Sequence, residues 1–442
     1  MSGIVGIARS GKQEEVKKML DKIAHRGKAG RKIIDVEGGT LGVVWTEPQK
    51  ESAAKANIVQ DSASSGHFAQ AQIKDGKLLL MRDPLGVAPL YYGRTKDGLC
   101  FASEVKALLE VTRTVYEFPP GYKYDGTMEP YFCLEKMLPL RRPPEYIAKE
   151  LHKKLATSVE TRINDNVMGA WLSGGLDSSA LAALARPHVD TLHTFAAGLP
   201  GASDLEHAQE VADFIGSHHH EVVVSLDDLV SVLPKVIYHL ESFDALLVRS
   251  SMANYLVGEA ASQYVSAVFS GEGSDELFAG YSYLKSVDSA SLADELIDII
   301  KRLHNTALQR VDRCSSAHSI VAHVGFLDPE VVSYALQIPA EYKLYNDIEK
   351  WILRQAMDGS LPEGVVNREK AKFWEGAGVS ELVAQHANSH ISDEEFNRER
   401  RLPNGWELRT KEELFYYRIF REHFGELGDL SWMGRTKGAP RQ

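Results

Sequence analysis

The sequence predicts an α/β protein in two parts, a sheet-rich N-terminal unit followed by a larger unit whose parallel sheet is covered by helices. Two patterns and one break carry that expectation. From Gly3 to about Phe132, short β-type runs (IVGIA, GTLGVVW, HFAQAQI, KLLLMRD, LYYG) are separated by Gly, Asp and Lys turns, with one amphipathic helix expected around Glu14–Ile23. The stretch Leu138–Glu145, LPLRRPPE, sets three prolines among eight residues and disfavours both helix and central strand. Beyond it, a helical pattern over Tyr146–Thr161 precedes the apolar runs VMGAWL, DTLHTFAAGL and YVSAVFS, an alternation expected of a helix-covered parallel sheet. The expected division is residues 1–137, a linker 138–145 and residues 146–442. At about 150 residues per domain, a chain of 442 has room for both cores.

Composition narrows the function. Hydrophobic residues at 44% and charged residues at 25% suit a globular chain with little long disorder. Fifty basic against 61 acidic residues leave a formal charge of −11, a field that repels nucleic-acid backbones but leaves room for one local nucleotide pocket. No apolar run reaches the roughly 18–20 residues of a membrane span, and the opening MSGIVGIARSG lacks a secretory core. The expectation is no nucleic-acid partner, no membrane partner and a cytoplasmic address. Cys100, Cys133 and Cys314 lie far apart without a CxxC pair and read as reduced core residues. His218-His219-His220-Glu221 reads as structure, because consecutive strand residues point to opposite faces and cannot easily chelate one ion.

Chemistry concentrates in two loops. Residues Ser173-Gly174-Gly175-Leu176-Asp177-Ser178-Ser179 follow the apolar run ending Trp171-Leu172 and precede a helix-forming stretch. A glycine-rich turn between strand and helix aims backbone N–H groups and the helix's positive end at one anion, with the serines adding hydroxyl donors. Asp177 repels phosphate unless Mg²⁺ lies between them. The loop lacks the lysine of GxxxxGK[ST] and resembles the SGGxDS loop of enzymes that split ATP into AMP and pyrophosphate. The second loop, Gly271-Glu272-Gly273-Ser274-Asp275-Glu276, follows YVSAVFS at what should be the carboxyl end of a strand, where open α/β sheets bind ligands. Its crowded carboxylates call for a cation, with Asp275 as the second Mg²⁺ ligand and Glu272 facing the acceptor.

Together, SGGLDSS and SGEGSDELFAGY resemble the glutamine-hydrolysing asparagine synthetases. The likeness continues in Phe195–Gly201, Ile237–Ser251 and Arg368–Gly378, and in the first unit at Met1–Ile7, His25-Arg26-Gly27, Arg82–Gly93 and Phe101–Leu108. It implies a shortened Ntn-hydrolase-like α+β sandwich followed by a PP-loop synthetase domain. It also implies ATP held by Leu172, Ser173, Gly174, Gly175, Asp177, Ser178 and Ser179, with Phe195, Gly198, Ser270 and Gly271 flanking adenine and ribose. Asp177 and Asp275 would hold Mg²⁺. Lys370 takes the place of the family's catalytic lysine, stabilising charge at the α-phosphate, and Tyr281 reads as an active-site wall or as core.

Two departures shape the expected function. Where the family has an N-terminal cysteine nucleophile, this chain has Ser2. The arginine-bearing LGHRRL becomes Leu41–Thr46, LGVVWT, and only Gln60–Gly66 stands where a glutamine-holding loop belongs. A nucleophile without its substrate clamp loses orientation, so the first unit reads as an inactive remnant and ammonia is expected from solution or a separate glutaminase. Near the acceptor, AHSLEARVPFLD becomes Ala317–Asp328, AHSIVAHVGFLD, leaving Val321 and His323 where a glutamate and an arginine stood. Those two positions either line an acceptor pocket or brace the fold. The expectation is an ATP-dependent, AMP-forming amide ligase acting on a small carboxylate, aspartate foremost, with homodimerisation implied by the family alone. The rivals are a ligase making another amide, including a lactam-type closure, and a non-catalytic nucleotide-binding regulator.

Overall fold

The computed structural model describes residues 2–64, 66–368 and 379–436. The N-terminal unit is a sandwich of two six-stranded antiparallel sheets. In the first, Gly3–Ile7 lies between Gly39–Trp45 and Gly98–Ala102. In the second, Ile58–Ser64, His67–Lys74 and Lys77–Arg82 form consecutive hairpins. His67–Lys74 alternates buried and half-buried residues, as a strand covered on one face should. Ile4, Leu41, Val43, Val59, Ala69, Ala71 and Phe101 fill the space between the sheets. The expected helix runs Gln13–Lys22 and buries Val16, Met19 and Leu20.

No regular element spans residues 133–141, in keeping with the proline break. The next helix starts at Pro144, two residues earlier than its pattern suggested, because proline's fixed φ suits the first helical turn. The second unit holds an all-parallel five-stranded sheet, ordered His218–Val223, Thr191–Gly198, Val167–Trp171, Ala267–Phe269, Val321–His323. YVSAVFS contributes only Ala267–Phe269 to it, since Tyr264 and Val265 still bond back to Ala261 at the end of the preceding helix. Among the three cysteines, Cys100 and Cys314 are buried as expected, but Cys133 is exposed, lying in the irregular stretch 133–141. No described helix is long and apolar enough to cross a membrane.

Candidate active site

Chain order across the parallel sheet reverses between Val167–Trp171 and Ala267–Phe269, which leaves a crevice where loops from the carboxyl ends of the two strands diverge. Both sequence motifs occupy it. Gly174 sits at φ +66°, and a Cβ there would come within 2.4 Å of His207 Cβ and 2.6 Å of the Ala208 backbone nitrogen. Glycine is therefore required for conformation and for space. The helix Leu176–Ala185 follows, its amino end capped by Gly175 with no side-chain acceptor, so its first N–H groups point out of the turn. Ser178 Oγ accepts from the Ser173 N–H at 3.1 Å and braces the turn. Ser179 is fully buried, and its Oγ has no hydrogen-bond partner among the described residues.

The Ser270 N–H donates to the His323 carbonyl at 2.9 Å, which starts the acidic loop in register with the sheet edge. Gly271 lets that loop press onto the first motif: a Cβ would lie 3.0 Å from both Asp177 Cβ and the Ser178 nitrogen. Ser274–Phe278 then forms a short helix anchored by the buried Leu277 and Phe278.

The two loops share one cation. Lys350 Nζ lies 2.5 Å from Asp177 Oδ2 and 2.6 Å from Asp275 Oδ1, while Ser274 Oγ donates to Asp177 Oδ1 at 2.7 Å. The lysine side chain is 4% exposed. Its backbone, at φ +56°, caps the helix Trp351–Ala356 and donates to the Phe278 carbonyl at 3.2 Å. Two carboxylates on one point form a hard oxygen donor set. No group of three or more metal-ligating side chains occurs among the described residues. The pair fits Mg²⁺ taking its remaining ligands from phosphate and water, the ion's usual arrangement.

Beside this point lies a second charged cluster. Arg310 Nη2 donates to Glu272 Oε1, and its Nη1 donates to Ser250 Oγ at 3.0 Å. Burial works against the guanidinium charge, but Glu272 more than compensates and holds the Arg310 pKa above its ordinary value. The Tyr281 hydroxyl donates to Glu276 Oε1 at 2.5 Å. Burial pushes the Glu276 carboxyl up to about 7 against that hydrogen bond, and burial plus Glu276 hold the Tyr281 hydroxyl well above its usual range.

Other expected residues present buried side chains. Leu172 and Phe195 are core side chains, joined by the Leu172 N–H to the Phe195 carbonyl, with Phe195 packed against Trp171 and His220. Gly198 ends its strand closely packed against Ala202 and Leu205. Val321 and His323 are both buried. Among the described residues the His323 ring has no hydrogen-bond partner, and burial pushes its pKa down to about 3. Lys370, with Phe373, Gly376 and Gly378, lies outside the described residues. Arg368, just before them, is held by Asp204 at 2.8 Å. Lys350 and Arg310 were not among the expected site residues.

In the first unit, Ser2 is 1% exposed, its Oγ donating to the Gln60 carbonyl at 3.1 Å, and Arg26 Nε donates to the Ser2 carbonyl at 2.8 Å. Gln60, read as part of a link, lies within the strand Ile58–Ser64. The arginine of HRG turns inward: Arg26 is fully buried and bonds Asp61, Glu104, Asp312 and Ser316. Its neighbour Gly27 has no room for a Cβ against the Trp45 backbone.

A parallel sheet carrying an SGGxDS loop at its switch point, behind an antiparallel sandwich, defines a PP-loop synthetase architecture joined to an Ntn-type domain. The sequence pattern described as asparagine synthase matches residues 150–298 and 285–439, and that of a glutamine amidotransferase domain matches residues 46–110. The chain belongs to the asparagine synthase family. It is 34% identical over 388 residues to glutamine-hydrolyzing asparagine synthetase 2 of Arabidopsis thaliana, covering 81% of this chain and 66% of that one. A probable asparagine synthetase of Schizosaccharomyces pombe is 36% identical (80% and 71% covered), and asparagine synthetase B of Escherichia coli is 34% identical (81% and 69%). The chain thus spans slightly under two thirds of the length of the Arabidopsis relatives.

Proposed function

We propose that this protein is an ATP-dependent, AMP-forming amide ligase that adenylates a small carboxylate, aspartate foremost, and transfers ammonia to it without using glutamine. The observation that carries this reading is the convergence of Asp177 and Asp275, from two loops at the switch point, on one cation beside a helix amino terminus. Mere nucleotide storage does not call for that pairing.

The N–H groups opening Leu176–Ala185 bind the polyphosphate, and Gly174 allows it close approach. Asp177 and Asp275 would hold Mg²⁺, which would neutralise charge on the departing pyrophosphate. Lys350 pairs with both aspartates here and would give way to that ion, its ammonium remaining beside them as a second positive charge. An acceptor carboxylate oxygen bonds to the α-phosphorus as the bond to pyrophosphate breaks. Ammonia then attacks the acyl carbon, AMP leaves, and the nitrogen sheds a proton. The buried Ser2 and the inward-turned Arg26 support a nitrogen source other than glutamine hydrolysis in the first unit.

Pyrophosphate exchange into ATP, run with a panel of carboxylic acids, tests the reading. Aspartate-dependent exchange, with amide formed from ammonium but not from glutamine, is expected. No exchange with any acid would reject it.

A further inference from the structure

The histidine run at residues 218–220 takes no part in the ATP cleft. It opens the edge strand His218–Val223, at the amino ends of the parallel strands, whereas the two acidic loops leave their carboxyl ends. Strand alternation divides the run. His219 turns to one face, where its Nδ1 lies 3.0 Å from Thr194 Oγ1, and His218 and His220 share the other.

The neighbouring strand adds a third imidazole to that second face. His193 stands opposite His218 in the parallel register, and its ring centre is 5.5 Å from that of His218 and 5.2 Å from that of His220. His193 Nδ1 and His220 Nε2 are 2.9 Å apart and share one proton. Moving that proton to the far nitrogen of its own ring, a tautomer change of neutral imidazole, leaves two lone pairs facing each other. Two nitrogens at about 2.0–2.1 Å from one tetrahedral ion stand about 3.4 Å apart, so opening the pair by about 0.5 Å admits it. Phe195, itself buried, stacks on His220 at 4.9 Å, and Tyr264 packs on His220 and His193 at 4.2 and 5.2 Å, which orients both rings. His193 and His220 are half-buried and His218 is exposed, which leaves an approach for an ion and its water ligands. Among the described residues no three metal-ligating side chains are already gathered, so the preformed donors are the pair, and His218 joins by turning about its own side-chain bonds. Imidazole nitrogens suit Zn²⁺, Cu²⁺ and Ni²⁺, whereas Mg²⁺ takes oxygen ligands.

We infer that His193 and His220, joined by His218, form a binding site for a transition-metal cation, Zn²⁺ foremost, that ties the edge strand His218–Val223 to Thr191–Gly198. The site is separate from the aspartate pair and does not depend on the adenylation reading.

The test is calorimetric titration of the untagged, chelator-treated full chain with Zn²⁺, in excess Mg²⁺ to keep the aspartate pair occupied. His193→Gln and His220→Gln are each expected to weaken Zn²⁺ binding at least about tenfold, while His188→Gln, at an exposed position, leaves it unchanged. With Cu²⁺ as the probe, paramagnetic resonance should show nitrogen couplings that fall by one ligand in either variant, a signature that loss of packing alone would not produce. Zn²⁺ should also raise the unfolding temperature of the unaltered protein but not of the two variants. Zn²⁺ affinity equal in all four proteins, as it would be if the helical pair His386 and His390 held the ion, overturns the inference, as does a Cu²⁺ spectrum without nitrogen coupling.

Discussion

Lys350 shows how one residue can occupy a metal's place. Two carboxylates facing each other across a cleft repel strongly at low dielectric, and here one ammonium 2.5 and 2.6 Å away attracts both and offsets half of their charge. Its removal should convert the pair into an open divalent site. Lys350→Met is expected to bind Mn²⁺ without nucleotide, measurable by calorimetry or by loss of the free-ion paramagnetic signal, at least tenfold more tightly than the unaltered protein. Equal Mn²⁺ affinity in the two proteins would show that Lys350 does not compete for the site. This residue was not legible in the sequence. A lysine ahead of the apolar run WILRQA looks like any helix-flanking charge, and nothing local announces the positive φ that turns it inward. Asp177 and Asp275 were legible because each sits in a loop whose glycines and serines make no sense as a plain turn.

At the level of elements, the cleft depends on how closely two loops approach. Gly271→Ala would place a Cβ 3.0 Å from Asp177 Cβ and from the Ser178 nitrogen, which can move only by displacing the amino end of Leu176–Ala185. The expected result is loss of exchange by tenfold or more, with a fall in stability of about 1–3 kcal/mol, the usual overpacking cost. Full exchange by this variant would mean that the loops tolerate separation. The central strands were legible for a related reason: Val167–Trp171 reads as a continuous apolar run buried through its middle, and Thr191–Gly198 ends in the buried residues Phe195, Ala196, Ala197 and Gly198. Gly30–Val36 was missed because it is an edge strand with mostly exposed or half-buried residues. Ile58–Ser64 was missed because its inward Asp61 interrupts the pattern, an aspartate kept in the core by Arg26.

At the scale of the whole molecule, the first unit is built into the second. A single apolar core joins Val5, Val16 and Leu20 of the sandwich to Leu229, Phe243 and Tyr255 of the second unit. A buried ion network runs through the same junction, from Arg26 and Glu104 to Asp312, Arg313 and Glu241. Removing one member of such a network leaves charge buried without a partner, which makes the units interdependent. Histidines are packed here too. His25 meets His239 edge to face at 4.5 Å, and burial pushes the His239 ring down to about 2 and the His318 ring to about 4. Below pH 6.5 the unfolded chain takes up protons that these folded rings refuse. The stability they contribute is thus complete above that pH and is lost as pH falls toward the depressed values. For His239 the loss is about 1.4 kcal/mol between pH 7.5 and 5.5. Glu276, raised to about 7, works in the opposite direction, binding a proton in the folded state that the unfolded chain releases. Comparing His239→Phe with the unaltered protein cancels that effect. Urea unfolding at the two pH values should show the variant losing about 1.4 kcal/mol less on acidification. Parallel losses in the two proteins would mean that His239 accepts a proton without opening the junction.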